Sequence, residues 1–276
     1  MDIGSIGIEF KHLIGFFAVQ FSVITMIGCH EVPITKRQAF VVVPESHMTE
    51  IAINAFDDIK AKSSLSRDNR LIKRIEGIGF NVAAASGFEL PWEFLLVDEP
   101  ASANAFCLPG GKVVIYTGIL PIAKTDAGLA SIIGHEIGHV IARHGGERAT
   151  QKLGVNVGLV AISLFLDAGN LNRLIMETIG MGANVGVLLP FSRLHESEAD
   201  RMGLEYMAKA GYNPNEAVGV WERMGQKSGN EKRLTFLSTH PNSDARAKDL
   251  ALAMEEVMPF YEQSKKRQSE LLTIEN

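Results

Sequence analysis

Two cysteines, Cys29 and Cys107, are the only thiols in the sequence, so a disulfide-dense scaffold is excluded. Charge of one sign is also missing. The formal net charge is -5, the isoelectric point is near 5.9, and the 27 basic residues are scattered rather than gathered on one stripe. That balance gives no electrostatic basis for binding nucleic acid. No low-complexity tract, internal repeat or long linker interrupts the chain. What remains is an ordinary globular composition, 46% hydrophobic and 21% charged, over a length sufficient to bury a core.

The chain also lacks a clear membrane span. Leu13 to Gly28 runs sixteen residues without a charge, short of the ~20 that a spanning helix needs but suited to a signal-peptide core. Lys11 and His12 precede it, and it ends Met26-Ile27-Gly28-Cys29, which resembles a lipoprotein cleavage site. Residues 1–28 are therefore expected to be a signal peptide, Cys29 the lipidated first residue of the mature chain, and residues 29–47 a tether, with an uncleaved N-terminal anchor as the alternative. Cys107 would then be the sole ordinary thiol, with no disulfide possible inside the mature chain. His30 after the cysteine, in place of Asp, resembles outer-membrane sorting. The second apolar stretch, Leu153 to Leu189, is broken by glycines and by Asp167, Asn170, Asn172, Arg173 and Glu177. It reads as a buried helical hairpin rather than a span.

Between these stretches the periodicity is mostly helical. Apolar steps of three and four predict helices over Met48–Lys62 and Asp68–Ala85, the latter carrying Leu71, Ile72 and Ile75 on one face. Strand-like runs follow at Trp92–Val97, Ala103–Leu108 and Val113–Tyr116, with Pro109-Gly110-Gly111 as a tight turn. Asp126 opens a helix expected to reach Gln151, Ser192 one to Ala210, Asn213-Pro214 one to Lys227, and Ser243-Asp244 one to Lys266. The fold class is α+β, mainly α, with residues 48–276 as a single catalytic domain containing a small β-sheet.

The chemistry concentrates in His135-Glu136-Ile137-Gly138-His139. Histidines four apart share a helix face and can reach one ion, while Glu136 sits about 100° around, close enough to hold a water without ligating. Zinc acidifies a bound water toward pKa ~7, and a carboxylate beside it can take the proton during attack on a peptide carbonyl. Chance produces such a pentapeptide in roughly one percent of chains of this length, so a further ligand is needed to make the case. Downstream, His195-Glu196-Ser197-Glu198-Ala199-Asp200 places Glu196 and Asp200 on one helix face, with Glu198 about 200° away. Glu196 is assigned as third zinc ligand, and Asp200 as the carboxylate that accepts the outer N–H of a ligand histidine. A solvated acidic face is the bland alternative, and spacing alone does not exclude Glu198.

Four segments carry a resemblance in the same order: Asn104–Gly111 (NAFCLPGG), His135–His144 (HEIGHVIARH), Leu189–Gly203 (LPFSRLHESEADRMG) and Ser238–Pro241 (STHP). Together they resemble the HtpX and CAAX prenyl-protease family of zinc metallopeptidases, in particular its soluble periplasmic BepA- and LoiP-like branch. The resemblance implies a zincin-like domain, one Zn2+ per chain and endopeptidase action on misfolded or stalled envelope proteins. It also implies the third ligand at Glu196 and a location on the periplasmic side of a bacterial envelope, held by the lipid anchor. It further implies that His240 approaches the zinc, as a gate or as an aid to the oxyanion. Asn104, Ala105 and Phe106 would form the edge strand that pairs with extended substrate. Arg143 and His144 are read as structural, supporting the helix end and nearby carboxylates; His12, His30 and His47 receive no role.

Overall fold

The computed structural model describes residues 29–160, 192–228, 235–241 and 244–274. The expected signal peptide and most of the expected apolar hairpin lie outside these residues. A three-stranded sheet is ordered β3–β5–β4, with β3 (Glu93–Val97) parallel and β4 (Ala105–Leu108) antiparallel to the central β5 (Lys112–Tyr116). The β4–β5 turn uses Gly110 and Gly111 at φ 78° and 80°, left-handed values that any side chain would strain. The two faces of β5 feed separate cores. Val113 and Ile115 face the main helical layer, whereas Val114 and Tyr116 face α1 (Glu45–Lys62) through Met48, Phe56 and Ile59.

Each helix starts where its local chemistry allows. Asp68 accepts from the backbone N–H groups of Arg70 and Leu71 at the start of α2 (Asn69–Ser86), and Gly87 closes that helix at φ 76°. A short helix, α3 (Leu120–Ala123), leads into α4 (Asp126–Ile141), whose N-cap is Thr125, one residue before the expected Asp126. From Gly128 to Ile141 every residue of α4 is buried, the mark of a central helix wrapped on all sides. The helix expected to run on to Gln151 breaks instead. Arg143 adopts φ 56°, and α5 (His144–Val160) begins immediately after it. Glu45 accepts a hydrogen bond from Arg143 Nε at 2.6 Å, which ties down a residue whose backbone conformation costs roughly 1 kcal/mol.

α6 (Arg193–Lys209), capped by Ser192, crosses α4 at close range. A Cβ on Gly134 would lie 2.8 Å from the Gly203 carbonyl oxygen, and one on Gly203 would lie 2.6 Å from the His135 nitrogen. Gly138 meets Ala199 in the same seam. α7 (Asn215–Ser228), the single-turn α8 (Thr235–Thr239) and the long α9 (Asp244–Ile274) complete the helical layer.

Residues 29–47, expected to be a tether, are folded in the structure. β1 (Cys29–Glu31) and β2 (Gln38–Phe40) pair antiparallel, and Val32, Ala39, Val41 and Val43 are buried. Val41 and Val43, alternate residues of the apolar run, supply burial that a tether would not have, while Phe40 and Val42 face outward. The Gly134–Gly203 contact leads to a direct expectation: Gly203→Ala forces backbone against backbone and destabilises the chain by about 1–3 kcal/mol. Urea unfolding measures this, and an unchanged midpoint would refute the close crossing.

Candidate metal centre

The glycine seam lays the last two turns of α4 against the N-terminal half of α6, which brings His135, Glu136, His139 and Glu196 together. α8 adds His240. Donor atoms of His135, His139, Glu196 and His240 all lie within 4.8 Å of one another, and all four residues are buried. His135 Nε2 is 3.0 Å from His139 Nε2 and 3.2 Å from His240 Nδ1. Glu196 oxygens stand 3.5, 3.4 and 3.1 Å from His135, His139 and His240 respectively. Ligands on a tetrahedral ion with bonds of ~2.1 Å are roughly 3.4 Å apart, so the observed separations suit one. Imidazole nitrogens and a carboxylate are also the appropriate donors, and the cluster could hold a metal ion.

Glu136 sits beside this cluster without joining it. It is fully buried, its Oε1 is 3.5 Å from His240 Nε2, and among the described residues no nitrogen or hydroxyl donates to it, the Cys107 thiol being its hydrogen-bonding neighbour. Burial pushes its carboxyl up, against the opposing pull of His240 and His135. Glu196 behaves oppositely. Burial pushes it up as well, but the charge of His240 and hydrogen bonds from His135, His139 and His240 hold it well below the usual range. One carboxyl is thus kept charged among imidazoles, and the other is kept short of partners.

Asp200 Oδ1 lies 2.9 Å from His135 Nδ1, the nitrogen on the far side of the ring from the cluster. Sequence reasoning missed the residue that neutralises this corner. Arg246 Nε and Nη2 each donate to Asp200 at 2.7 Å, and Nη1 donates to Glu196 Oε2 at 2.5 Å. Its guanidinium lies 3.7 Å above the Trp221 ring. Two carboxylates buried four residues apart require a cation, and that requirement was the available signal; nothing in the sequence said which of the 27 basic residues supplies it.

The cluster's other flank is also ionic. Glu198, read from spacing as facing away, is buried and accepts from His144 Nε2 at 3.1 Å, from Arg37 and from Thr35. Arg37 also forks onto Glu147, which meets His195 Nε2 at 3.1 Å, and the His144 and His195 rings stack at 4.3 Å. Burial pushes Glu147 and Glu198 up, yet hydrogen bonds from His195 and Arg37, and from His144, Arg37 and Thr35, bring both down to about 2. His144 is lowered to about 4, chiefly by burial, so its ring is neutral at neutral pH.

Asn104 is buried, its backbone oxygen accepts from Tyr116 N–H, and its side-chain oxygen has no hydrogen-bond partner among the described residues. Ala105 and Phe106 begin β4, an edge strand on the side facing α4. A cleft between β4 and the end of α4 is lined by Phe106, Leu108, Val140, Arg148, His139 and His240. Cys29 is exposed at the start of β1.

A buried, metal-competent cluster on a helix pair, flanked by an edge strand and a cleft, describes a zincin-like metallopeptidase domain. Residues 67–253 match the model of peptidase family M48, and the chain belongs to that family. Among curated proteins it is 40% identical over 185 residues to the mitochondrial metalloendopeptidase OMA1 of Schizosaccharomyces pombe, covering 66% of this chain and 50% of that one. The Arabidopsis thaliana protein of the same name is 42% identical over 182 residues, covering 65% of this chain and 36% of its own. It is also 26% identical over 215 residues to the beta-barrel assembly-enhancing protease of Escherichia coli, covering 75% and 43%. The chain therefore spans half or less of these relatives' length. Family and fold agree with the resemblance drawn from the motifs.

The Arg246 fork makes a checkable demand on stability. Arg246→Ala leaves Glu196 and Asp200 buried without their cation and lowers the unfolding free energy by about 3–5 kcal/mol, read by denaturant titration. A loss under 1 kcal/mol would mean that the carboxylates find another partner.

Proposed function

We propose that this chain is a zinc-dependent endopeptidase that cleaves internal peptide bonds of extended protein substrates, with His135, His139 and Glu196 as ligands and Glu136 as general base. The observation that carries the reading is the compact donor cluster with a fully buried carboxylate, Glu136, beside it. Zinc held there would polarise the scissile carbonyl and acidify a water. Glu136 takes the water's proton and returns it to the departing amine; burial raises its carboxyl above the usual range, the direction that makes a carboxylate a better proton acceptor. Asp200 and Arg246 hold His135 so that Nε2 faces the cluster. Substrate backbone adds to the open edge of β4 beside Phe106, where the Asn104 side-chain oxygen can accept an N–H.

We place the mature chain on the periplasmic side of a bacterial envelope, lipid-anchored through Cys29 and acting on misfolded or stalled outer-membrane proteins. The Met26–Cys29 cleavage pattern and the similarity to the assembly-enhancing protease support that placement, while the similarity to mitochondrial proteins supports the chemistry alone. Glu136→Gln is expected to retain one zinc per chain while losing casein cleavage by about 10²–10⁴-fold. Equal cleavage by the variant would end the base assignment, and absence of zinc from the wild type would end the ligand assignment.

One observation favours a second reading, that of an assembly factor whose protease activity is usually silent. His240 stands within the donor cluster, and a fourth protein ligand fills the position that water needs. If it gates the site, His240→Ala raises casein cleavage; if it assists the reaction, the same variant lowers it.

A further inference from the structure

The two histidines of the motif are held from behind in different ways. The outer nitrogen of His135 meets a carboxylate directly, whereas the outer nitrogen of His139 meets a second imidazole, His144 Nδ1, at 2.8 Å. Two ring nitrogens at that distance share one proton, so only one of them is the donor. The rest of the chain decides which. His144 Nε2 lies 3.1 Å from Glu198 Oε2, and a carboxylate can only accept. The proton of a neutral His144 therefore sits on Nε2, and its Nδ1 offers a lone pair. His139 must then donate from Nδ1, which leaves its Nε2 lone pair facing the donor cluster. Without Glu198, His144 is free to carry its proton on Nδ1 and reverse the arrangement, placing the His139 proton where a metal should be.

Glu198 is itself fixed by the N-terminal hairpin. Thr35 Oγ1 donates to Oε1 at 2.8 Å, Arg37 Nε approaches Oε1 at 2.9 Å and Oε2 at 3.0 Å, and Arg37 Nη2 reaches Oε2 at 2.8 Å. The other edge of the guanidinium is anchored on Glu147 at 2.7 and 2.8 Å, and Glu147 is braced by His195, whose ring stacks on His144. The turn that delivers these two side chains has Ile34 at φ 67° and Lys36 at φ 57°, two non-glycine residues in the left-handed region. That strain persists only where surrounding contacts over-determine it. Thr35 and Arg37 also lie outside the 67–253 family match.

We infer that Glu198, acting through His144, is a positioning residue that fixes the ring-proton arrangement of His139, and that Thr35 and Arg37 of the β1–β2 hairpin anchor it. The inference rests on the ligand reading above for its consequence in metal binding, but the proton arrangement itself can be observed without metal. It assigns the segment next to Cys29 a part in the centre, and it gives Glu198 a role distinct from ligand and from solvated surface.

The test compares wild type with Glu198→Leu, Glu198→Gln and Arg37→Met in the full chain. Zinc affinity is read by competition with a chromophoric chelator, and histidine tautomers by long-range ¹H–¹⁵N correlation on the metal-stripped protein. Glu198→Leu and Arg37→Met are expected to weaken zinc binding by about 10–100-fold, the usual effect of losing an outer-shell partner. Both should also erase the uniform Nδ1–H form of His139. Glu198→Gln keeps an acceptor and recovers part of each effect, which a purely structural role would not predict. If Glu198→Leu fails to fold, Arg37→Met with Thr35→Val carries the same comparison. A folded Glu198→Leu or Arg37→Met with wild-type zinc affinity and an unchanged His139 tautomer would overturn the inference. If the wild type takes up no zinc, the ligand reading falls on its own, and the tautomer spectrum still decides the role of Glu198.

Discussion

The separation of α4 and α6 where they cross governs the centre. Gly134 and Gly203 stand back to back, so the two helix backbones approach more closely than any side chain would permit. Glutamate is short, and Glu196 reaches the two imidazoles of α4 only because of that approach. On the same stretch of α6, Asp200 meets His135 and Glu198 meets His144. A helix pair held by larger residues would pack as stably but would leave these groups too far apart to act together.

Bringing so many ionisable groups out of water creates an electrostatic problem, which two arginines settle from opposite sides. Arg246, seated on Trp221, neutralises Glu196 and Asp200. Arg37 neutralises Glu198 and Glu147. Glu136 has no such cation and feels mainly burial and its histidine neighbours. The difference divides the carboxylates by chemical role. Four are lowered by their cations and hydrogen bonds, and Glu136 alone is left raised by burial.

The parts of this arrangement legible in the sequence were those set by local periodicity. His135, Glu136 and His139 follow from helical spacing, and Glu196 with Asp200 follows from the same spacing and the resemblance. The three strands were found to within two residues because Pro109-Gly110-Gly111 and the β-rich runs are short-range signals. Residues that depend on distant partners were not legible. The break falls at Arg143 rather than at the Gly145-Gly146 pair two residues on, because the side-chain bond to Glu45 compensates a left-handed backbone at a non-glycine residue. The hairpin at Cys29–Phe40 was read as a tether because three-residue strands leave almost no pattern, and its burial is visible only against α5 and α6. The partners of Glu198 were not legible because spacing relative to Glu196 reports one helix and omits what lies across from it.

The contacts around the donor cluster join residues far apart along the chain: Thr35 with Glu198 is 163 positions, Arg246 with His135 is 111, and His240 with His135 is 105. Closing such loops is slow, and none of the partners is complete until the last of them has been synthesised. A ribosome-bound chain ending before residue 246 carries the full His135–His139 pentapeptide and still lacks Arg246. The order in which the residues are made thus leaves Glu196 and Asp200 without their buried cation until translation has passed residue 246.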